Sequence, residues 1–321
     1  MNKLFISYSN VIILVSFIAC MPLVTIAADS SEYLSDAQSY FNKGEYATAV
    51  IQLKNALLLE PDNGQARLLL GRTYLELQNG NSAYKELMRA SDLGVSRETV
   101  LVPMGRALIM SGQYDELLNS IFIESEDPVT LKDDIYLLQG QAHLAKQNLE
   151  LADEKFSRAL ELNPALANAM LGKARILFHS NEYDKVSGFV DQALSLVPDN
   201  ADAWVLRGEI LRVQGQTSDA MMAFQEALDI APDNVTAQVG KASMLIMLDT
   251  PDEALVQLQQ IEQKYPKWYL VHHLKARALY QDQRLELAQE SIRRALELEP
   301  DHLPSHLLSG TFAFKQGQLN V

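Results

Sequence analysis

Apolar residues recur along most of the chain at the spacing of an α-helix rather than that of a β-strand. From Asp29 onward they return every three or four positions within short stretches, and polar turns separate one stretch from the next. The turns usually contain a residue that readily ends a helix, as at Gly44, Gly80, Gly112, Asn181 and Gly215. The pattern therefore predicts an all-α fold in which helix follows helix, without a strand signal.

The helices are grouped by prolines that recur every 34 residues, at Pro164, Pro198, Pro232, Pro266 and Pro300. A period of this length is typical of a repeat of two helices. Proline cannot continue the helix before it, and the Asp-Asn pairs at 199–200 and 233–234 are expected to cap the helix that follows. Each period thus predicts one pair of antiparallel helices.

A frame with these prolines at position 32 divides the chain into repeated units. Units one to three occupy residues 29–132, units four to eight occupy residues 133–302, and residues 303–321 supply the first helix of an incomplete ninth unit. Unit three is one residue longer and ends in the acidic link Glu124-Ser125-Glu126-Asp127-Pro128. We interpret this link as a break in the array, and a docking site is the alternative.

Two positions of the frame show how the helices should pack. Position 8, where the two helices of a unit are expected to cross, always carries a small residue: Ala37, Gly71, Gly105, Gly140, Ala174, Gly208, Ala242, Ala276, Gly310. Position 24 always carries a bulky apolar residue: Leu53, Leu87, Ile121, Phe156, Val190, Phe224, Leu258, Ile292. Small residues let two backbones approach and bulky ones fill the gap between neighbouring units, so these rows predict a solenoid.

One unit carries the consensus of a known repeat at the correct spacing, through Trp204, Gly208, Ala220, Phe224, Ala227 and Pro232. Residues 30–321 resemble tetratricopeptide (TPR) repeat proteins, although Arg207 and Leu211 depart from the usual Leu and Tyr. The resemblance implies an α–α superhelix whose first helices line a concave face that binds other proteins.

A narrower resemblance covers the first three units. Segments 46–57, 66–71, 78–87 and 111–114 are similar to the start of the TPR-repeat protein of the bacterial PEP-CTERM/exosortase system. Proteins of that family are exported, and their genes accompany exopolysaccharide production and the sorting of PEP-CTERM proteins. Because its members generally continue through many more repeats, the resemblance implies that this chain corresponds to an N-terminal portion.

Residues 1–28 have the pattern of a secretory signal peptide. Lys3 precedes a nearly unbroken apolar run over 11–27, and small residues at Ala27 and Ala28 suit cleavage after either of them. Cys20 offers a second interpretation, because Phe17-Ile18-Ala19-Cys20 resembles a weak lipobox that would attach a lipid to this cysteine. An uncleaved anchor is the third. We favour ordinary cleavage after Ala27 or Ala28 and expect an exported, periplasmic protein; in the second interpretation, the lipid at Cys20 would attach it to the membrane.

The resemblance also indicates where a partner would bind, because concave faces of TPR arrays are formed chiefly by positions 2, 5, 9 and 12. Here positions 5 and 12 are mostly apolar, and position 9 is polar and often basic. The candidate peptide-groove residues are Leu68, Arg72, Leu75, Val102, Arg106, Ile109, Leu171, Arg175, Phe178 and Arg277. We expect apolar side chains of a polypeptide to enter the groove while its carboxylates or carbonyls meet the arginines. The alternative is that neighbouring helices bury the apolar rows and that the arginines only solvate a face.

Charge and motifs argue against other classes of function. The chain contains 27 basic and 41 acidic side chains, a net charge of −14 that should repel nucleic acids and anionic membranes. It has no Gly-rich phosphate loop, no nucleophile-elbow serine and no paired-cysteine spacing. His302 and His306 are four residues apart, but His302 lies in a loop, so we do not predict a metal site. The sequence predicts neither an enzyme nor a cofactor.

These observations predict an exported scaffold for protein–protein interactions, and the resemblance places it in exopolysaccharide production and PEP-CTERM sorting. Two alternatives remain. The chain could be the noncatalytic TPR arm of an enzyme such as a glycosyltransferase whose catalytic domain follows residue 321, or a component of another polysaccharide-secretion or outer-membrane assembly machine. Sequence beyond Val321 would separate the enzyme from the scaffold.

Overall fold

The computed structural model describes residues 29–315 of the chain. These residues form 17 helices and no strand, which confirms the predicted all-α class. None of the described helices combines the length and the apolar character that crossing a bilayer requires. The predicted signal peptide, the lipid site at Cys20 and residues 316–321 lie outside the described residues.

The helices alternate between the first and the second helix of each unit. The first helices are α1 Ser30–Asn42, α3 Gly64–Glu76, α5 Arg97–Met110, α7 Val129–Ala145, α9 Ala167–His179, α11 Ala201–Val213, α13 Val235–Met247, α15 Tyr269–Gln281 and α17 Leu303–Lys315. The second helices are α2 Tyr46–Leu59, α4 Gly80–Asp92, α6 Tyr114–Ser120, α8 Leu149–Leu162, α10 Tyr183–Leu196, α12 Thr217–Ile230, α14 Pro251–Lys264 and α16 Leu285–Leu298. Helix pairs that share a unit therefore follow one another along the chain as the proline frame predicts.

The helices stack as a superhelix with an inner and an outer wall. Each helix packs against the next one in the chain, and every first helix from α1 to α13 also touches the first helix of the following unit. Second helices of neighbouring units make no comparable contact in the described part of the chain. Because the first helices lie closer together than the second helices, they form the inner wall of the curve, and the second helices lie outside.

One turn residue in every complete unit adopts a left-handed backbone conformation. It stands at position 15, where φ is between 56° and 76°: Gly44, Gln78, Gly112, Gln147, Asn181, Gly215, Asp249, Gln283. Only three of the eight are glycine, the residue that adopts this conformation without steric cost. Gly80, which the sequence suggested as a turn residue, is instead the buried first residue of α4, and a Cβ there would lie 2.4 Å from Ser111 Oγ. A close approach between helices, and not a turn, requires glycine at that position.

Polar side chains fasten the boundaries between units. Asn200 and Asn234 accept hydrogen bonds from backbone N–H groups three residues later, at 3.1 and 3.0 Å, so the predicted capping is confirmed for the asparagine of each pair. A second kind of hydrogen bond at these boundaries was not predicted. The side chain at position 4 donates a hydrogen bond to the backbone carbonyl of the proline near the end of the preceding unit. Its occupants are Arg67, Trp204, Gln238, His272 and His306, with distances of 2.6 to 3.3 Å.

Two phenylalanines at position 24 each fill a space between two glycines of adjacent first helices. A Cβ on any of these glycines would lie within 2.8 Å of a ring atom: Gly140 and Gly172 face Phe156, and Gly208 and Gly240 face Phe224. Both rings are completely buried. The sequence frame identified the glycine at position 8 but not the one at position 6 of the next unit.

The link after unit three is held by one arginine. Helix α6 has only 7 residues, half the length of most other second helices, so unit three is irregular, although α5 and α7 still pack against each other across the link. Arg97 Nε donates to Asp127 Oδ1 at 3.1 Å and Nη2 donates to the carbonyl of Phe122 at 2.5 Å, while Nη1 lies 3.2 Å from Glu124 Oε1. Asp127 is buried, and its hydrogen bond with Arg97 lowers the pKa of this carboxyl. The link is thus an ordered bend.

Helix α7 begins earlier than the frame predicts. Its first residue is Val129, directly after Pro128, so the boundary at 132/133 falls inside the helix. The Asp133-Asp134 pair, which the proline frame places at the start of unit four, therefore lies inside the helix and does not cap it. Asp133 is buried one turn inside α7, where its carboxylate accepts the N–H of Asp134 at 2.8 Å. Proline at the end of the link starts the helix instead.

Candidate functional site

The predicted groove residues all lie on the first helices, but they differ in exposure. Arg72, Arg106 and Arg175 are exposed and Arg277 is half-buried. Val102, Ile109 and Phe178 are half-buried on the inner wall. Leu68, Leu75 and Leu171 retain only 3 to 5% of their exposure and pack in the core, because the close approach of neighbouring first helices covers them. The open channel of apolar residues that the sequence suggested is therefore interrupted.

The inner wall contains a first cavity, which we call the Arg106 pocket, between the first helices of units three to five. Its volume is about 520 Å³. Val102, Ile109 and Leu137 form its apolar wall, and Arg106 and Asp134 its polar rim. Burial, together with the adjacent Asp133, raises the pKa of the Asp134 carboxyl. Three of the predicted groove residues meet in this pocket.

A second cavity of about 390 Å³, which we call the Arg277 pocket, lies between the first helices of units six to nine. Val239, Trp268 and Leu270 supply its apolar wall, and Arg212 and Arg277 line it with guanidinium groups. Of the predicted groove residues only Arg277 lies here. Trp268 is not among the predicted groove residues because it stands at position 34, outside positions 2, 5, 9 and 12; the signal that could have identified it is an aromatic residue just before a first helix.

The two arginines of this pocket differ in their surroundings. Arg212 is held by Glu209, whose Oε2 accepts from Arg212 Nε at 3.1 Å and from Nη2 at 2.6 Å. Arg277 has neither a hydrogen bond nor an ion pair with any residue between 29 and 315. Burial, and the nearby guanidinium of Arg212, lower the pKa of Arg277. The pocket therefore presents one positive charge that the described residues do not neutralise.

A small histidine cluster closes one side of the Arg277 pocket. His273 Nδ1 lies 3.0 Å and His302 Nδ1 2.7 Å from the hydroxyl of the buried Ser305, and the two imidazole rings meet edge to face with centroids 5.0 Å apart. Burial, with smaller contributions from the nearby His302 and Arg277, lowers the pKa of His273 to about 4. His273 is therefore neutral at pH 7 and acts as part of the wall.

The remaining inner-wall arginines are not equivalent. Arg175 pairs with Asp202 of the next unit at 3.2 Å, which leaves its guanidinium partly neutralised. Arg72 and Arg106 have no ion pair with another residue in the described range. Within that range, no group of three or more His, Cys, Asp or Glu side chains is arranged to hold a metal ion. The wall thus offers separate cationic points beside apolar cavities.

Sequence comparisons match the chain to one repeat family. Family models described as tetratricopeptide repeat match residues 40–95 and 211–278, residues 137–185, and residues 270–302, which together cover more than half of the chain. None of the curated proteins searched matches it.

Solved structures with similar folds include the human IFIT1 dimer with m7Gppp-AAAA, at 20% identity and a TM-score of 0.53, over 80% of this chain and 66% of that one. YrrB, described as a TPR protein with an unusual peptide-binding site, is 20% identical with a TM-score of 0.44, over 61% of this chain and 99% of its own. Pseudomonas aeruginosa pilF is 20% identical with a TM-score of 0.48, over 67% of this chain and 97% of its own. At such identity the IFIT1 match shows a shared fold and nothing about ligands.

Proposed function

The chain is a tetratricopeptide repeat protein, and from this we propose that it is a scaffold that binds another polypeptide along its inner wall. The proposal contains no catalytic step. Its support comes from the wall itself, which is made by the first helices and the residues next to their ends and bears cavities large enough for side chains.

The observation that carries the proposal is the Arg106 pocket. Arg106 is exposed and without an ion pair among residues 29–315, yet it stands beside the half-buried Val102 and Ile109. A guanidinium next to apolar surface suits a polypeptide, whose carboxylates and carbonyls accept hydrogen bonds while its apolar side chains leave water. A nucleic acid would offer phosphates to the same arginine, but the net charge of −14 would oppose its approach.

The test uses charge reversal on the two faces of the array. Arg72→Glu with Arg106→Glu changes the inner wall, while Lys54→Glu with Lys85→Glu makes the same charge change on second helices, where both lysines are exposed. We expect the inner-wall pair to weaken binding of a partner recovered by crosslinking at least tenfold in calorimetry, and the outer pair to leave it within twofold. Equal effects of the two pairs, or no effect of either, would refute inner-wall binding.

We further propose that the protein is exported to the periplasm and serves exopolysaccharide production and PEP-CTERM protein sorting. The first 28 residues support export, and the similarity of segments 46–57 and 78–87 to that TPR family supports the pathway. Mass spectrometry of the chain made in a bacterial host tests the export: a first residue at Ala28 or Asp29 indicates ordinary cleavage, a lipid on Cys20 indicates a lipoprotein, and an intact Met1 contradicts processing. Deletion of the gene tests the pathway, since unchanged polysaccharide and unchanged surface sorting would contradict it.

A further inference from the structure

The charge of Arg277 stands out from those of the other part-buried basic residues on the first helices. Arg67 is neutralised by Glu86 at 2.6 Å, Lys173 by Asp153 at 2.6 Å and Lys275 by Glu262 at 2.5 Å. Lys132 and Lys241 also lack an acidic partner, but each donates a hydrogen bond, to the carbonyl of Ser125 at 3.0 Å and to Gln225 Oε1 at 2.6 Å. Arg277 is half-buried and has neither an ion pair nor a hydrogen bond with any of the described residues. Moving a cation out of water without a counter-charge costs free energy. A cavity that contains such an unpaired cation therefore stabilises a bound anion.

The walls of the Arg277 pocket restrict which anion fits. Among residues 29–315, Glu209 is the only acidic residue that lines the pocket, and its carboxylate already accepts hydrogen bonds from Arg212. Trp268, Leu270 and Val239 provide apolar surface directly beside the guanidinium. A small, fully hydrated anion gains no binding energy from apolar surface. A carboxylate side chain with apolar neighbours in the same polypeptide can pair with the guanidinium while its neighbours pack against the apolar wall.

The pocket also indicates how the carboxylate arrives. Ser243, at position 9 of the preceding first helix, lines the same pocket, and Thr311, at position 9 of the following one, is exposed outside it. When a bound polypeptide follows this row past Arg277, the carboxylate that meets Arg277 belongs to a side chain and not to a C-terminus.

We infer that the Arg277 pocket is a subsite for an aspartate or glutamate side chain with apolar neighbours in the bound polypeptide, and that Arg277 pairs with its carboxylate. This inference rests on the proposed function, because it assigns the chemistry of one segment of the partner.

Three blocked or partly blocked peptides test it. Acetyl-Ala-Leu-Glu-Leu-Ala-amide carries only the internal carboxylate, its Gln counterpart carries none, and the Gln peptide with a free C-terminus carries only the terminal one. The chain has two tryptophans, so Trp204→Gln leaves Trp268 as the reporter of binding by fluorescence and keeps a side-chain donor of the kind Gln238 supplies in the next unit.

We expect the Glu peptide to bind at least tenfold more tightly than either Gln peptide, since a hydrogen bond to a charged group in a partly buried site is worth about that factor or more. Arg277→Met should remove the preference, and Arg294→Met, which removes one charge from the outer helix of the same unit, should keep it. Equal binding of all three peptides, a preference for the free C-terminus, or a preference that survives Arg277→Met would each overturn the inference.

Two further measurements keep the result interpretable. If Arg277→Met does not fold by circular dichroism, Ser243→Asp places an internal carboxylate in the same pocket and should abolish the preference; an unchanged preference overturns the inference. If Arg277 has no effect on the peptides while the inner-wall pair Arg72→Glu and Arg106→Glu still weakens the recovered partner, this inference fails and the proposed function stands.

Discussion

The ring of Phe224 leaves no space for a methyl group on Gly240, because a Cβ built there would lie 2.5 Å from its Cε1. The two residues belong to different units, so this contact sets how closely unit seven approaches unit six. A side chain at position 24 and a glycine at position 6 of the next unit are therefore a matched pair.

Gly240→Ala should destabilise the protein although alanine favours helices. Overpacking costs about 1 to 3 kcal/mol, which exceeds the gain of about 1 kcal/mol from helix propensity. Urea denaturation followed by circular dichroism measures the change. Combining it with Phe224→Leu should give less than the sum of the two single effects.

Gly188→Ala is the control variant. Gly188 is exposed on α10, and a Cβ built there would have no atom within 4 Å, so alanine should stabilise the protein by about 0.5 to 1 kcal/mol. A loss of stability in this variant would contradict the packing argument.

The left-handed turn residue offers a stabilising substitution. Gln283 has φ of 58°, and Gly215 has φ of 76° at the same position of unit six. Gln283→Gly should raise the free energy of unfolding by about 0.5 to 1 kcal/mol, and Gly215→Gln should lower it by about the same amount. Thermal denaturation of both variants checks the prediction. Changes of equal sign in the two variants would show that backbone strain at this turn does not decide stability.

The bond from position 4 to the preceding proline carbonyl should also be measurable. Gln238→Met removes the hydrogen bond of 2.8 Å to the carbonyl of Pro232 and should cost about 0.5 to 1.5 kcal/mol. Gln238→His should restore most of the loss, because His272 makes the equivalent bond of 2.9 Å one unit later. Hydrogen exchange of the first turn of α13 reports on the same boundary. No difference between Met and His at this position would assign the effect to packing.

The free energy of unfolding should decrease as the pH is lowered, because His273 is buried in its neutral form. Its pKa is lowered from 6.5 to about 4, so the unfolded chain binds a proton at a pH where the folded chain does not. The contribution is fully present above pH 6.5 and is lost as the pH falls toward 4, by roughly 2 to 3 kcal/mol. His302 and Arg277 face the ring and add to the cost of its protonation.

His273→Asn tests this prediction through the difference between its pH–stability curve and that of the unmodified protein. The difference should appear between about pH 6.5 and 4, while His179→Asn, an exposed position on α9, provides the matched comparison. Parallel curves for the unmodified protein and His273→Asn would show that another group controls acid stability.

The sequence predicts the structural features that depend on residue type and spacing along the chain. It does not predict those that depend on how close two helices lie in the folded array. The helix pairs, the small residues at position 8 and the capping by Asn200 and Asn234 follow from spacing and residue type alone. The burial of Leu68 and Leu171 does not, because it depends on how closely neighbouring first helices approach in the curved array.

The site is predicted less completely than the fold for the same reason. Arg277 is identified by its position in the repeat, but its lack of a counter-charge depends on where Glu209 and Arg212 point, two units earlier. The path of the link after unit three likewise depends on Arg97, which is 30 residues away from its partner Asp127. Such contacts join residues that no periodic pattern relates.

The arginine at that link also determines how the array should respond to force. In regular units, adjacent helices are joined by extensive packed surfaces that can slide by small amounts, so an applied tension would be shared elastically along the superhelix. Between units three and four α5 still packs against α7, but the second helix α6 is short, and the link that follows it is fixed by directional bonds to a single guanidinium, which are lost together. Under stretching, the molecule should therefore extend like a spring over most of its length and yield first at this bend.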